Sequence, residues 1–281
     1  MSTSAKNWLI AAAALVAIGT ILFAAVMTVY HWDFTRLSTN HFETNTYEIS
    51  ETFDNIEFDT QTADIFFTAS DDDTCKVVCY EDVNRKHSVR VQNGTLTVSA
   101  ADDGKWYEHI GIGFRSPEVT VYLPKAEYAS IVVGESTGDI KIGNISVGRL
   151  ELSVSTGDIA VSDVTCKGEI KITITTGEAD IENTTCQKLI STGSTGDITL
   201  KNVNVVGNIS IERSTGDVEF DDSDAAEIFV KTSTGDVTGS LLTEKIFAAK
   251  TSTGDVNVPK TTTGGTCEII TSTGDIEIKI D

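Results

Sequence analysis

The sequence predicts an all-β protein: a single N-terminal transmembrane helix followed by a β-solenoid-like repeat domain with about 19–20 residues per repeat. Three observations carry this expectation: a charge-free apolar run near the N-terminus, a Ser-Thr-Gly-Asp tetrapeptide recurring at near-constant spacing, and period-two alternation of apolar residues around each copy.

The apolar run extends from Trp8 to Tyr30. At 1.5 Å rise, about 23 helical residues reach roughly 34 Å, enough to cross a bilayer core. Trp8 stands at one end and Tyr30 and Trp32 at the other, the placement of interfacial aromatic rings. Lys6 and the α-amino group lie on the short side, so the positive-inside rule predicts a cell-membrane protein with a single pass, its N-terminus inside and its C-terminal domain extracytoplasmic. A cleaved signal peptide is the competing reading. The run is longer than the usual 7–15 residues, and no small-x-small site follows it.

The glycines of the recurring tetrapeptide are Gly138, Gly157, Gly177, Gly196, Gly216, Gly235, Gly254 and Gly274. Two residues after each stands an apolar residue: Ile140, Ile159, Ala179, Ile198, Val218, Val237, Val256 and Ile276. Alternation returns before the next copy, as in Leu150-Glu151-Leu152, Ile170-Lys171-Ile172 and Ile209-Ser210-Ile211. Each repeat therefore holds two short strands and two turns, and so small a unit buries its apolar face only by stacking on its neighbours. An antiparallel meander closing into a sandwich or barrel satisfies the same alternation. Glycine suits the turn because it accepts positive φ, and the Asp after it can bond back to nearby amides.

From about Phe42 to Lys125 strands also alternate with Asp-rich and Asn-Gly turns, and Thr62-Ala63-Asp64-Ile65 reads as a degenerate first copy. This region is expected to cap the N-terminal end of the stack. The other edge is expected at Ile278–Asp281, guarded by Lys279 and Asp281. The organisation is thus a cytoplasmic tail at 1–7, an anchor at 8–30, a linker at 31–45, a capping β region at 46–130 and the repeats at 131–281.

With Leu96-Thr97-Val98, then Val119-Thr120-Val121-Tyr122-Leu123-Pro124-Lys125, then serial Ser-Thr-Gly-Asp-Ile/Val units, the chain resembles the DUF4097 family of bacterial β-strand-repeat, adhesin-like proteins. The resemblance spans roughly residues 45 to 281. It implies a cell-envelope or surface protein, some members being associated with envelope-stress systems, and it supplies no catalytic residues.

The 42 Asp and Glu against 21 Lys and Arg give a net charge of −21, which repels nucleic-acid phosphates, so no nucleic-acid partner is expected. Stacked, Asp139, Asp158, Glu178, Asp197, Asp217, Asp236, Asp255 and Asp275 would form a ladder at about 4.8 Å spacing. Each neighbouring pair would then repel by about 1 kcal/mol even in water. Backbone amides, alternating lysines or a bound Ca2+ would compensate. A calcium cage needs six to eight oxygens, whereas each turn offers one carboxylate and two hydroxyls, so hydrogen-bonded solvated turns are the simpler expectation and no cofactor is required.

The threonine array beside the ladder also suits an ice-binding face, against which the acidic file argues. Five cysteines leave at least one unpaired, and Cys166 and Cys186, nine residues after their glycines, fall on adjacent rungs where a disulfide is possible. Cys267 falls at an inward strand position. Cys75 and Cys79 are too far apart to bond, and Cys75, Cys79 and His87 would make an incomplete zinc set.

The irregular stretch holding Trp106, Tyr107, His109 and Phe114 is a candidate binding loop, or else a lid over the stack. No nucleophile elbow or phosphate loop is present, and nothing separates the pKa values of near-identical acids. The expected function is a non-catalytic surface binding or adhesion scaffold whose partner is an envelope or surface macromolecule. An envelope-stress or signalling accessory acting through another membrane protein is the alternative, and a glycan-active enzyme the remote one.

Overall fold

The computed structural model describes residues 3–33, 41–71, 73–100 and 116–281. It divides into an N-terminal unit containing the helix Thr3–Val29 and a β unit running from Phe42 onward. Ser4–Val29 is long and apolar enough to cross a membrane, a property shared by membrane spans and secretion signals.

The β unit is a solenoid of about 8 turns, and the antiparallel sandwich is set aside by its pairing. Rung joins rung in parallel and in register. On one sheet Ile140, Ile159, Ala179, Ile198, Val218 and Val237 stack in file. On the facing sheet Leu150, Ile170, Leu189, Ile209, Ile228 and Cys267 do the same. Both files are buried in one continuous core. At about 1.5–3 kcal/mol for each fully buried aliphatic side chain, this core is the main favourable term in holding the rungs together. Outside, Lys171–Glu151, Lys188–Glu169 and Lys201–Glu182 pair between rungs at 2.8, 3.0 and 3.1 Å. Such exposed pairs contribute little singly.

Two turns define each rung. At the Ser-Thr-Gly-Asp turn the glycine φ is +142° at Gly157 and +122° at Gly196. Positive φ is only part of the requirement. A Cβ on Gly157 would lie 2.1 Å from the Gly138 carbonyl oxygen, and one on Gly196 would lie 1.9 Å from that of Gly177. Backbone rests on backbone here, and no side chain fits between. The second turn uses Asn144, Asp163, Asn183, Asn202 and Asp222 in the left-handed conformation, φ 47–57°. Short polar side chains tolerate that region, and Asn202 Nδ2 donates to Asn183 Oδ1 at 2.9 Å.

At the N-terminal end the order of rungs departs from the order of the chain. Asn55–Asp59 lies between Glu127–Thr137 and Thr95–Ala100, and Asp64–Ala69 lies between Ile140–Gly143 and Glu118–Leu123. The degenerate first copy is therefore a true rung: Thr62 bridges Thr137, and the Asp139 amide donates to Asp64 Oδ1 at 2.9 Å. Beyond these rungs the pairing turns antiparallel. Cys75–Asp82 joins Glu118–Leu123, Phe42–Ile49 joins Cys75–Asp82, and His87–Gln92 joins Thr95–Ala100.

The C-terminal end refines the expectation of an edge at Ile278–Asp281. Ile276 and Glu277 pair with Val237 and Thr238 on one side and with Val256 and Asn257 on the other, so the last strand begins between two rungs, and from Ile278 to Ile280 it is paired on the Gly239–Leu241 side. Cys267 likewise lies between Ile228 and Phe247. The chain builds the outermost rung first and then returns beneath it. Gly264 and Gly265 make that passage: a Cβ on either would come within 1.7 Å of a carbonyl oxygen, of Glu244 and Ala226 respectively. The edge consists of Lys245–Lys250, the two-residue strand Val256–Asn257 with Pro259 close behind, and Ile278–Ile280 beyond the end of that short strand. Short strands, lysine and proline are the features that keep an open edge from recruiting another chain.

Gly196→Ala is expected to destabilise the β unit by at least about 2 kcal/mol in urea denaturation, through positive φ and the carbonyl clash together. Gly134→Ala, whose Cβ would lie an ordinary 3.7 Å from the Phe58 oxygen, should change stability by no more than about 0.5 kcal/mol. In native-state hydrogen exchange, average protection should be greater across Ile276–Ile280 than across Lys245–Lys250, although the former is nearer the C-terminus.

Candidate functional site

The Ser-Thr-Gly-Asp turns stack into a ridge along the solenoid. In each copy the two residues before the glycine are both exposed, from Ser136-Thr137 through Ser214-Thr215 to Ser272-Thr273. Behind them runs the acidic ladder. The Asp158 amide donates to Asp139 Oδ1 at 3.0 Å, Glu178 to Asp158 at 2.8 Å, Asp217 to Asp197 at 2.8 Å and Asp236 to Asp217 at 2.8 Å. The ladder follows the spatial order of the rungs, not the chain order: the Asp275 amide donates to Asp236 at 2.7 Å, and the Asp255 amide to Asp275 at 2.8 Å.

This answers how like charges tolerate such spacing. A charge-assisted bond from a backbone N–H is worth about 1.5–3 kcal/mol, against about 1 kcal/mol of repulsion per neighbouring pair in water. One oxygen of each bonded aspartate holds the next rung and leaves a single oxygen for solvent. The carboxylates do not converge: among the described residues, the group of three His, Cys, Asp or Glu ligand atoms lying within 4.8 Å of one another is Cys79, Glu81 and His87. The bonded aspartates of the ladder thus hold rung to rung and also give the ridge its charge.

Cys166 and Cys186 do lie on adjacent rungs, but their thiols are free. In-register parallel strands point both Cβ atoms the same way, and the Cys166 thiol faces the carbonyl oxygens of Gly148 and Glu169 at 3.6 Å. Burial pushes the Cys186 thiol up to about 12, so it stays protonated. Cys267 occupies the inward position expected of it and is buried. Trp106, Tyr107, His109 and Phe114 lie outside the described residues.

The zinc set read from the sequence is rearranged. Cys75 is not part of the cluster; Glu81 takes its place, being two residues beyond Cys79 on the same strand and hence on the same face. Cys79 and Glu81 are fully buried, and His87 is 8% exposed. His87 Nδ1 lies 2.7 Å from Glu81 Oε2, and Asn45 Nδ2 donates to Glu81 Oε1 at 2.7 Å. Burial first, then the Glu81 charge, pushes the Cys79 thiol up to about 12. Sequence reading passed over Glu81 because a lone Glu among strand residues carries no motif. Its inward place in the Cys75-x-Val77-x-Cys79-x-Glu81 alternation was the available signal.

Where the first rungs meet the cap, a polar cleft of about 890 Å3 is lined by residues that include Asp71, Asp73, Glu127, Asn144 and Asp163. Among the described residues its walls carry acid and amide groups together with the hydroxyls of Ser70, Tyr128, Ser146 and Thr165 and the amine of Lys125.

A parallel β-solenoid with a hydroxyl-and-carboxylate ridge belongs to the class of repeat scaffolds. The chain is a member of the Toastrack DUF4097 family, whose model matches residues 53–281. Among solved structures it is similar to a candidate lipid-binding protein from Parabacteroides distasonis, at 15% identity over 84% of this chain and 97% of that one, with a TM-score of 0.56. It also matches candidate adhesins from Bacteroides fragilis (20% identity, 85% and 97% coverage, TM-score 0.48) and Parabacteroides merdae (15%, 86% and 97%, TM-score 0.47). At these identities the first similarity is one of fold, and the other two are reported as matches alone. No match is found among curated proteins.

Asp217→Asn keeps an oxygen for the Asp236 amide and removes one charge from the file, so it should leave stability unchanged or raise it by up to about 1 kcal/mol, the gain shrinking as salt is added. Asp217→Ala loses the bond and should cost about 1 kcal/mol. Both are read by thermal denaturation, and EDTA should leave the difference in Tm between each variant and the wild type unmoved.

Proposed function

We propose that this protein is a non-catalytic binding scaffold of the cell envelope, anchored through residues 8–30 with its β-repeat unit outside the cytoplasm. The cap at 46–130 and the repeats at 131–281 act together as one presenting surface. The observation that carries this reading is the ridge of exposed Ser-Thr pairs repeated from rung to rung. Hydroxyls at a spacing of about 4.8 Å suit many weak, equivalent contacts with a polymer that is itself periodic and polar, such as an envelope glycan. Rigid rungs lower the ordering cost of such contacts, because the donors are aligned before the partner arrives. The lipid-binding name of the fold neighbour is consistent with surface binding in place of catalysis.

The test uses the full chain in nanodiscs, mixed with cell walls and, separately, with membranes of the source organism, each with and without chelator. Sedimentation with walls, unchanged by chelation, is the expected result. Replacing the exposed Thr of four central turns, Thr156, Thr176, Thr195 and Thr215, by Val should reduce retention at least tenfold if the ridge is the contact. Retention on membranes in place of walls would turn the reading toward an accessory of another membrane protein. Sedimentation with neither would overturn both.

A further inference from the structure

We propose that Cys79, Glu81 and His87 bind one divalent cation of the zinc class within the N-terminal cap. The three donors are a sulfur, a carboxylate oxygen and an imidazole nitrogen, all within 4.8 Å of one another. Around tetrahedral zinc, with bonds of about 2.0–2.3 Å, ligand atoms stand about 3.3–3.8 Å apart. The widest pair therefore has to close by about 1 Å or slightly more, and the His87–Glu81 pair at 2.7 Å has to open by somewhat less than that. Side-chain rotation supplies such shifts without moving the strands.

The supporting structure is what a metal site requires. Cys79 and Glu81 project from one face of the strand Cys75–Asp82, and His87 opens the strand His87–Gln92. The turn between them is closed by the Arg85 amide on the Asp82 carbonyl at 2.8 Å and the Asn84 amide on Asp82 Oδ1 at 2.9 Å. From the neighbouring edge strand, Asn45 holds Glu81 Oε1 and the Tyr47 hydroxyl reaches the His87 carbonyl at 3.4 Å. Partners that orient ligands in this way are the usual outer shell of a metal site.

A second observation points the same way. Glu81 is a fully buried carboxylate whose ion-pair partner is an imidazole, and a divalent cation would balance it more completely. Thiolate and imidazole donors select zinc and its neighbours over calcium or magnesium, which sets this site apart from the oxygen-only ridge. Three protein ligands leave a fourth position for water. Coordination requires the thiolate, so the Cys79 proton passes to solvent as the metal binds.

The full chain in detergent, stripped of metal, is titrated with cobalt(II) as a spectroscopic stand-in and then challenged with zinc. One cobalt per chain is expected, with a thiolate-to-cobalt charge-transfer band that zinc abolishes. Cys79→Ser should lose the band, whereas Cys75→Ser, on the same strand but outside the cluster, should keep it. Zinc should raise the Tm of the wild type and of Cys75→Ser, and leave that of His87→Ala unmoved. Circular dichroism checks that each variant is folded; if Cys79→Ser is not, wild-type stoichiometry and the charge-transfer band still decide. Absence of stoichiometric cobalt in the folded wild type, or a band surviving in Cys79→Ser, overturns the proposal.

Discussion

Everything in the β unit depends on how closely one backbone turn can rest on the next. At the Ser-Thr-Gly-Asp turn the carbonyl of one glycine occupies the space where the Cβ of the next would be. The same turn carries the Gly157 N–H to Thr176 O bond at 3.0 Å and its equivalents up and down the stack. With that contact in place, the strands that follow run in register with their counterparts, apart from bulges at Cys186–Lys188, Val205–Asn208 and Phe220–Ser223. The aliphatic files then close into a core, and the aspartates meet the amides of the adjoining rung. A shift of one residue would turn each apolar file outward, so the turn determines the core as much as the core stabilises the turn.

Close stacking has a consequence for charge. Carboxylates in register would ordinarily be separated by sequence design, but here they recur with little interruption because Asp139, Asp158, Asp197, Asp217, Asp236 and Asp275 each accept a bond from a backbone amide of the adjoining rung. The result is a ridge that is acidic, hydroxyl-rich and structurally committed at the same time. Its chemistry is repetitive, which suits a surface that binds by many equivalent contacts better than a site that must single out one reacting atom. Chemically mixed clusters occur instead in the cap, where the repeat rule lapses and Cys79, Glu81 and His87 come together.

The ends show how a stack of unpaired rungs is stopped. Both reorder the chain: at the N-terminal end Asn55–Asp59 and Asp64–Ala69 lie inside strands that follow them, and at the C-terminal end Ile276 and Glu277 lie inside Val256–Asn257, which precedes them. At the C-terminal end the penultimate copy becomes the edge, and it carries the short strand, the lysines and Pro259 that suit an edge. The buried Lys245–Asp224 pair, at 2.5 Å, lies at this same end. Breaking such a pair is strongly destabilising, while its formation adds little net stability, so it serves to favour this arrangement of rungs over others.

Much of this was written in the residue order. Glycine at near-constant spacing, an apolar residue two positions later and the return of alternation are local periodicities, and stacking is the simplest way such short units bury their faces. The inward files and the place of Cys267 follow from them, and the helix Thr3–Val29 follows from the charge-free apolar run. The Asn/Asp corner from Asn144 to Asp222 was equally periodic, but its residue type varies and conceals it. What the tertiary structure alone decided are choices among equivalent partners. Every rung offers nearly the same edge, so sequence cannot say that Ile276 pairs with Val237 ahead of Val256, and only the passage through Gly264-Gly265 hints at it. In the same way the grouping of Glu81 with Cys79 and His87 arises from an antiparallel cap whose pairing no repeat dictates. Periodicity specifies what stacks; chain crossing and the closing of the ends settle the order, because they depend on contacts that are distant in sequence and nearly degenerate in kind.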